Sequence, residues 1–347
     1  MITLATITLS MLLSGSGEPG TPTDDHGFVA YQAGIAAAEK SLRLGETREL
    51  RRWLDACPPA YRGWEWRHLD SITDTTTRTV PTVATPIRIV MAPSGDRCAT
   101  VEGAAVRIRS WPDLAEITVI DGHDDAVYRA EFSPDGRRLI TVSRDVTART
   151  WDLDTGAEIA RIDLANPAFA AATFDPTGAV AATCAWERDD AGSVFGVVWL
   201  WDPRTGDVLR RVRVGVKPLS AIRFTPDGAH LVVGSWDGLV HVLDADADET
   251  VPLSLPDEGI YNAVNDVAVS PDGHFVAAAS KDRTTRVFDL ATGDLVATLR
   301  GHLGYVEGVS FSPDGATLAT SSIDATIALW TVGDWSRRTI LRGSTGT

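Results

Sequence analysis

The sequence predicts an all-β protein made from one repeated antiparallel sheet unit, with a short α-helical region ahead of it. Three observations carry this. Residues 301–324, GHLGYVEGVSFSPDGATLATSSID, alternate apolar and polar side chains on both sides of a Ser-Pro-Asp-Gly turn and run on to Trp330, which reads as three short strands joined by turns. The same arrangement recurs upstream at a nearly constant period. The 30 glycines and 18 prolines gather in short turn clusters between strands, as an all-β repeat requires.

Taken in order, the chain begins with an apolar stretch, residues 2–13, that has no Lys or Arg ahead of it and ends in Ser14-Gly15-Ser16-Gly17. It is shorter than the roughly 20 residues that span a bilayer and has the length of a signal-peptide core. Residues 1–24 are therefore read as a hydrophobic segment and linker with no stable membrane span. The protein is exported or periplasmic if this segment is a signal peptide, and cytoplasmic otherwise.

Residues 25–73 change to a helical period. Phe28, Tyr31, Ile35, Ala38, Leu42 and Leu44 recur at three- and four-residue steps, with Asp24 or Asp25 as N-cap and Gly45 where a C-cap belongs. A second helix, residues 47–56, presents Leu50, Trp53 and Leu54 and is ended by Pro58-Pro59. Tyr61, Trp64 and Trp66 then call for burial against helices or the repeat region.

The register of the repeats comes from the turn after each first strand: Pro93, Pro134, Pro176, Pro226, Pro271 and Pro313, each within Pro-x-Gly. The steps are 41, 42, 50, 45 and 42 residues, near the ~40–45 of a four-stranded propeller blade. Pro fixes φ early in the turn and Gly supplies positive φ later. The third strand of each unit ends in Trp151-Asp152, Trp201-Asp202, Leu243-Asp244, Phe288-Asp289 or Trp330-Thr331, and Ile108-Arg109 takes that place in the first. Six blades are expected, with seven as the alternative. Either residues 76–83 or 338–341 would supply the outer strand of the last blade.

On these residues, positions 76–345 resemble the WD40-repeat β-propeller family. Two units carry the family's polar and aromatic set, His123, Ser143, Asp145 and Trp151, then His302, Ser322, Asp324 and Trp330, with identical internal spacing. The resemblance implies a structural network in which Asp orients His, His meets Ser, and Ser reaches the indole. Repetition on two blades argues against a Ser-His-Asp triad, which is assembled once. The fourth and fifth units lack the His, so weaker blades are expected there. The run Cys57-Pro58-Pro59 followed by Arg62-Gly63-Trp64-Glu65-Trp66-Arg67 is similar to the helical connector of bacterial serine/threonine kinase–WD40 fusion proteins. The sequence contains no kinase signature, neither His-Arg-Asp nor Asp-Phe-Gly.

The family resemblance puts the loop before each first strand and the turn between the second and third strands on one face. Its candidate partner-binding residues here are Tyr128, Arg144, Trp236, Asn265, Lys281, Tyr305 and Glu307, joined by Ser220 and Ile323 at matching positions. Aromatic residues flanked by cations are what interface hot spots are made of. Eight extra residues of the third unit, 186–193, are expected in its second turn. The reading is a non-enzymatic scaffold for a protein or peptide, with a hydrolase using propeller-face carboxylates or the recurring His, Ser and Asp, or a structural remnant of a kinase–WD40 fusion, as alternatives.

The net charge of −15 excludes a non-specific nucleic-acid binder, which needs cations to displace counterions. Cys57, Cys98 and Cys184 show no C-x-x-C spacing, so neither a disulfide framework nor a zinc site is expected. No metal, cofactor or catalytic residue is assigned.

Overall fold

The computed structural model describes residues 25–44, 47–62, 88–166, 171–247, 250–254, 263–324 and 326–342. Helices α1 (Asp25–Leu44) and α2 (Thr47–Ala56) fall in one compact unit and the strands in another. In the helical unit Ala38 and Leu54 are fully buried with Ile35 against them, as the three- and four-residue spacing requires. Gly34 permits the close crossing, since a Cβ there would lie 2.7 Å from Cys57 Sγ. Trp53, expected on the apolar face, is 40 % exposed. Gly45, Trp64 and Trp66 lie outside the described residues.

The described strands form six four-stranded antiparallel sheets, each from consecutive strands with no crossover. The blades span residues 88–120, 127–163, 171–214, 219–254, 264–300 and 306–342. Blade strands are buried on both faces, so their apolar residues run nearly unbroken: the middle strands Phe275–Ser280 and Thr284–Asp289 have only one half-buried residue each. Five hydrophobic clusters fill the five junctions between successive blades.

The turns after the first strands repeat one device. Ser133 Oγ donates to Asp135 Oδ1 at 2.5 Å, the same oxygen accepts from the Arg137 N–H, and Gly136 takes φ 68°. A Cβ placed on Gly178, Gly228, Gly273 or Gly315 would lie 3.3–3.8 Å from the turn proline of the preceding blade. The prolines therefore link the second to sixth blades around one mouth of the ring. The first blade stands outside this stack, because a Cβ on Gly95 or Gly136 would meet nothing within 4 Å. Its Ile89 and Met91 are 63 % and 43 % exposed, where the equivalent Ala130 and Phe132 of the second blade are each 5 % exposed. Among the described residues no hydrophobic cluster joins the sixth blade to the first.

Three expectations are adjusted. The last blade takes its outer strand from Arg337–Arg342; the rival segment, residues 76–83, lies outside the described residues. In the first blade Arg109-Ser110, not Ile108-Arg109, holds the Trp-Asp position, because Cys98 pairs with Arg109 as Leu139 pairs with Trp151. The hairpin between the second and third strands is one residue shorter there, which moves the register. In the third blade the extra residues lengthen the strands instead of the turn: Ala181–Arg188 and Val194–Trp201 have eight residues each, putting Trp186 and Glu187 in the ladder.

Candidate functional site

Antiparallel connectivity puts the turns after the first and third strands on one face of the ring. The second turns and the starts of the first strands lie on the other, here called the upper face. Its rim is shaped by a recurring irregularity. Strand pairing shifts by one residue at Tyr128, Ser220, Asn265 and Glu307, each the second residue of its strand. A bulge leaves that residue unpaired and re-aims its side chain. Ser220 Oγ uses this freedom to donate to Val264 O at 2.6 Å, on the next blade. Asn265 Nδ2 likewise donates to Val306 O at 2.9 Å and to Glu307 Oε1 at 3.3 Å.

Asn265 is therefore an inter-blade brace, 8 % exposed and turned away from any partner on the upper face. Its place at the start of the first strand does not expose it, because the bulge turns its side chain toward the next blade. Tyr128 is half-buried and Glu307 exposed on the same rim. Arg144 is largely exposed, 3.7 Å from Asp125. Lys281 Nζ stands 3.8 Å from the centroid of the Trp236 ring, so two of the expected residues form one cation–π pair. Tyr305 is 39 % exposed beside Leu303 at 84 % and Ile323 at 60 %. Gly304 holds these together, because a Cβ there would come within 2.6 Å of Ile323 Cγ1. Leu303 is not among the residues expected from the sequence; its signal there is an apolar residue directly after the polar Gly-His start.

The His-containing sets are internal. His123 Nδ1 meets Asp145 Oδ2 at 2.8 Å, while His123 Nε2 and Trp151 Nε1 both reach Thr141 Oγ1, at 2.7 and 2.8 Å. In the sixth blade Thr320 has the same place, 2.9 Å from His302 Nε2 and 3.0 Å from Trp330 Nε1. The link is thus threonine, not Ser143 or Ser322. Ser143 Oγ instead donates to the carbonyls of Asp125 and Ala126 and accepts from the Asp145 N–H. Thr141 lies mid-strand among the packed side chains, whereas Ser143 closes the strand at the turn. A threonine two residues before Ser143 and Ser322 was the available sequence signal; in the third blade, where residue 185 is alanine, Thr183 still accepts from Trp201 Nε1 at 3.0 Å.

Charge is ordered along this chain of bonds. With Nδ1–H donating to the Asp145 carboxylate, neutral His123 accepts at Nε2 from the Thr141 hydroxyl, which itself accepts from the indole. Burial pushes Asp145 up, but hydrogen bonds from Thr147 and His123 outweigh it and hold the carboxyl at about 2. Burial also pushes His123 down, against the pull of Asp145. In the fourth and fifth blades a residue four positions after the Asp pairs with it, His241 Nε2 at 3.3 Å from Asp237 and Arg286 Nη1 at 2.6 Å from Asp282, as Arg149 Nη2 also does with Asp145 at 3.1 Å beside His123. Among the described residues no three His, Cys, Asp or Glu side chains converge as metal ligands, and no helix is long and apolar enough to cross a membrane.

Comparison with known proteins agrees with this architecture. The family described as WD domain, G-beta repeat, matches residues 115–152, 211–244, 258–289 and 293–331. Over 184 residues, 52 % of this chain and 20 % of the relative, the sequence is 28 % identical to Echinoderm microtubule-associated protein-like 3 of Homo sapiens. WD repeat-containing protein SL1-17 of Schistosoma mansoni is 30 % identical over 51 % of this chain and 54 % of its own length. Eukaryotic translation initiation factor 3 subunit I of Drosophila sechellia is 27 % identical over 49 % of this chain and 52 % of its own. The chain spans about half or less of the length of these relatives. It carries WD40 repeats on a six-bladed β-propeller.

Proposed function

We propose that this WD40-repeat propeller is a non-enzymatic scaffold that holds a protein or peptide on its upper face. The observation that carries the reading is the exposed cluster of Leu303, Tyr305 and Ile323, on the face that also presents Trp236 under Lys281. Aromatic and apolar anchors of this kind dominate binding energy when a partner covers them. Two relatives are by name a microtubule-associated protein and a subunit of an initiation factor, which favours a role in assemblies. The form of the rival hydrolase reading that uses the recurring His, Ser and Asp is disfavoured, since Ser143 Oγ is committed to backbone groups and Thr141 occupies His123.

The test is quantitative partner capture with the double variant Trp236→Ala, Tyr305→Ala. Its melting temperature should stay near that of the wild type, while recovery of interacting proteins in crosslinking mass spectrometry falls at least roughly tenfold. Equal recovery from a folded variant would remove the upper face as the interaction surface.

A further inference from the structure

The opposite mouth of the ring, framed by the stacked turn prolines, holds a cavity of about 320 Å³ that the scaffold reading does not use. Its walls are the last residues of the first strands, Phe174, Phe224 and Phe311, with Glu131 and Arg223 beside them. The two charged groups are adjacent, Arg223 Nη1 lying 3.4 Å from Glu131 Oε2, and their side chains are 29 % and 25 % exposed. Each is only partly satisfied. Glu131 Oε1 accepts from the Thr173 hydroxyl at 2.6 Å, and Arg223 Nη1 donates to Ile222 O at 2.8 Å. The Arg223 Nη2 and Nε hydrogens have no protein partner among the described residues, while the Glu131 carboxylate accepts also from the Phe174 N–H and keeps room for one incoming donor. Burial pushes the Glu131 carboxyl up against the pull of Arg223 and the Thr173 hydroxyl, and an ammonium beside it favours the charged form.

A ligand that suits such a pocket carries an anion and a cation a few ångströms apart on an apolar body. A free α-amino acid has that arrangement. We propose that the cavity binds a free α-amino acid with an apolar side chain, its carboxylate on Arg223, its ammonium on Glu131, and its side chain against the phenylalanines. Charge-assisted bonds at both groups replace one long ion pair by two closer ones. The volume fits one such molecule, at the small end of ligand sites, whose walls are mostly apolar with a few placed polar groups. A zwitterion brings no net charge to a strongly acidic protein, so it escapes the repulsion a simple carboxylate would meet. A peptide is disfavoured because its two terminal charges lie far apart.

The experiment is calorimetric titration of the full chain with L-phenylalanine, N-acetylphenylalanine (no ammonium) and phenethylamine (no carboxylate). Phenylalanine should bind at least about tenfold more tightly than either analogue. Arg223→Gln should make phenylalanine and phenethylamine equivalent, and Glu131→Gln should make phenylalanine and N-acetylphenylalanine equivalent. The two variants fail differently, so loss of folding in one leaves the other decisive. The proposal is overturned if either analogue binds wild type as tightly as phenylalanine. It is equally overturned if none binds up to about 10 mM, the range of a weak fragment, or if a folded variant keeps the wild-type preference. Because the pocket and the upper face lie at opposite mouths, the Trp236→Ala, Tyr305→Ala variant should bind phenylalanine unchanged, which separates this test from that of the scaffold.

Discussion

Replacing Thr141 by valine isolates the bond on which the second blade turns. The two side chains have nearly the same shape, so the substitution removes the hydroxyl and leaves packing almost intact. Two buried groups then lose their partner: Trp151 Nε1, now 2.8 Å from Thr141 Oγ1, and His123 Nε2, at 2.7 Å. Trp151 and His123 are 3 % and 6 % exposed, so water cannot replace the hydroxyl without opening the blade. An orphaned buried group costs about 1–3 kcal/mol, which puts Thr141→Val at roughly 2–4 kcal/mol. Ser143→Ala, which removes contacts at the edge of the blade, should cost about 1 kcal/mol. The assay is the shift of the urea midpoint at constant slope, with hydrogen exchange at the Trp151 indole as local readout. The indole proton should exchange faster in Thr141→Val and little differently in Ser143→Ala. The reasoning is refuted if Ser143→Ala is the more damaging change, or if Thr141→Val is within about 0.5 kcal/mol of wild type, the ordinary scatter of surface substitutions.

Acidification should weaken the same blade. Asp145, held at about 2 in the folded chain with its side chain 5 % exposed, contributes about 2 kcal/mol that is fully present above its unfolded value near 4 and lost as pH falls through about 2. His123, pushed down by burial, has the same sign and adds a loss that begins below its unfolded value near 6.5. The stability difference between wild type and Asp145→Asn, from urea unfolding, should therefore shrink by about 2 kcal/mol between about pH 5 and pH 2; a constant difference contradicts the assignment. Cys184, fully buried and pushed by that burial up to about 12, should resist iodoacetamide in the native protein and react in urea, because the thiolate is the nucleophile. Mass spectrometry showing rapid native labelling at Cys184 would contradict this.

The fold was legible because its signals are local. Pro-x-Gly turns at regular steps specify where each first strand ends, and alternation specifies the strands between them. What could not be read was anything set by register between strands. The bulge at Asn265 leaves no mark in composition, yet it turns that side chain from the rim into the next blade. The shortened first hairpin moves Arg109 into the Trp position by one step of pairing. Thr141 and Ser143 share a strand and a spacing of two, and only their depth in the sheet decides which meets His123. The cavity beside Glu131 and Arg223 was equally hidden, since its residues come from five blades far apart in the chain.

The acidity of the chain follows from the same turns. Each Asp of the turns after the first strands of the second, fourth, fifth and sixth blades, at 135, 227, 272 and 314, accepts a hydroxyl and a backbone N–H inside its own turn. Asp152, Asp202, Asp244 and Asp289 do the corresponding work after the third strands, accepting from backbone N–H groups two or three residues ahead. These hydrogen bonds, led at Asp202 by the Arg204 guanidinium and at Asp152 by the Thr155 hydroxyl, lower the carboxyls below their ordinary range, because they favour the charged form. A propeller that closes its turns with aspartate accumulates negative charge blade by blade without any partner selecting it. Both of these sets lie on the face opposite the exposed apolar cluster, while the second turns place structural aspartates on the upper face itself, Asp324 accepting from the Leu303 N–H at 2.8 Å. Net charge therefore says little about the upper face, where Leu303, Tyr305 and Ile323 supply contact by shape and apolar area instead.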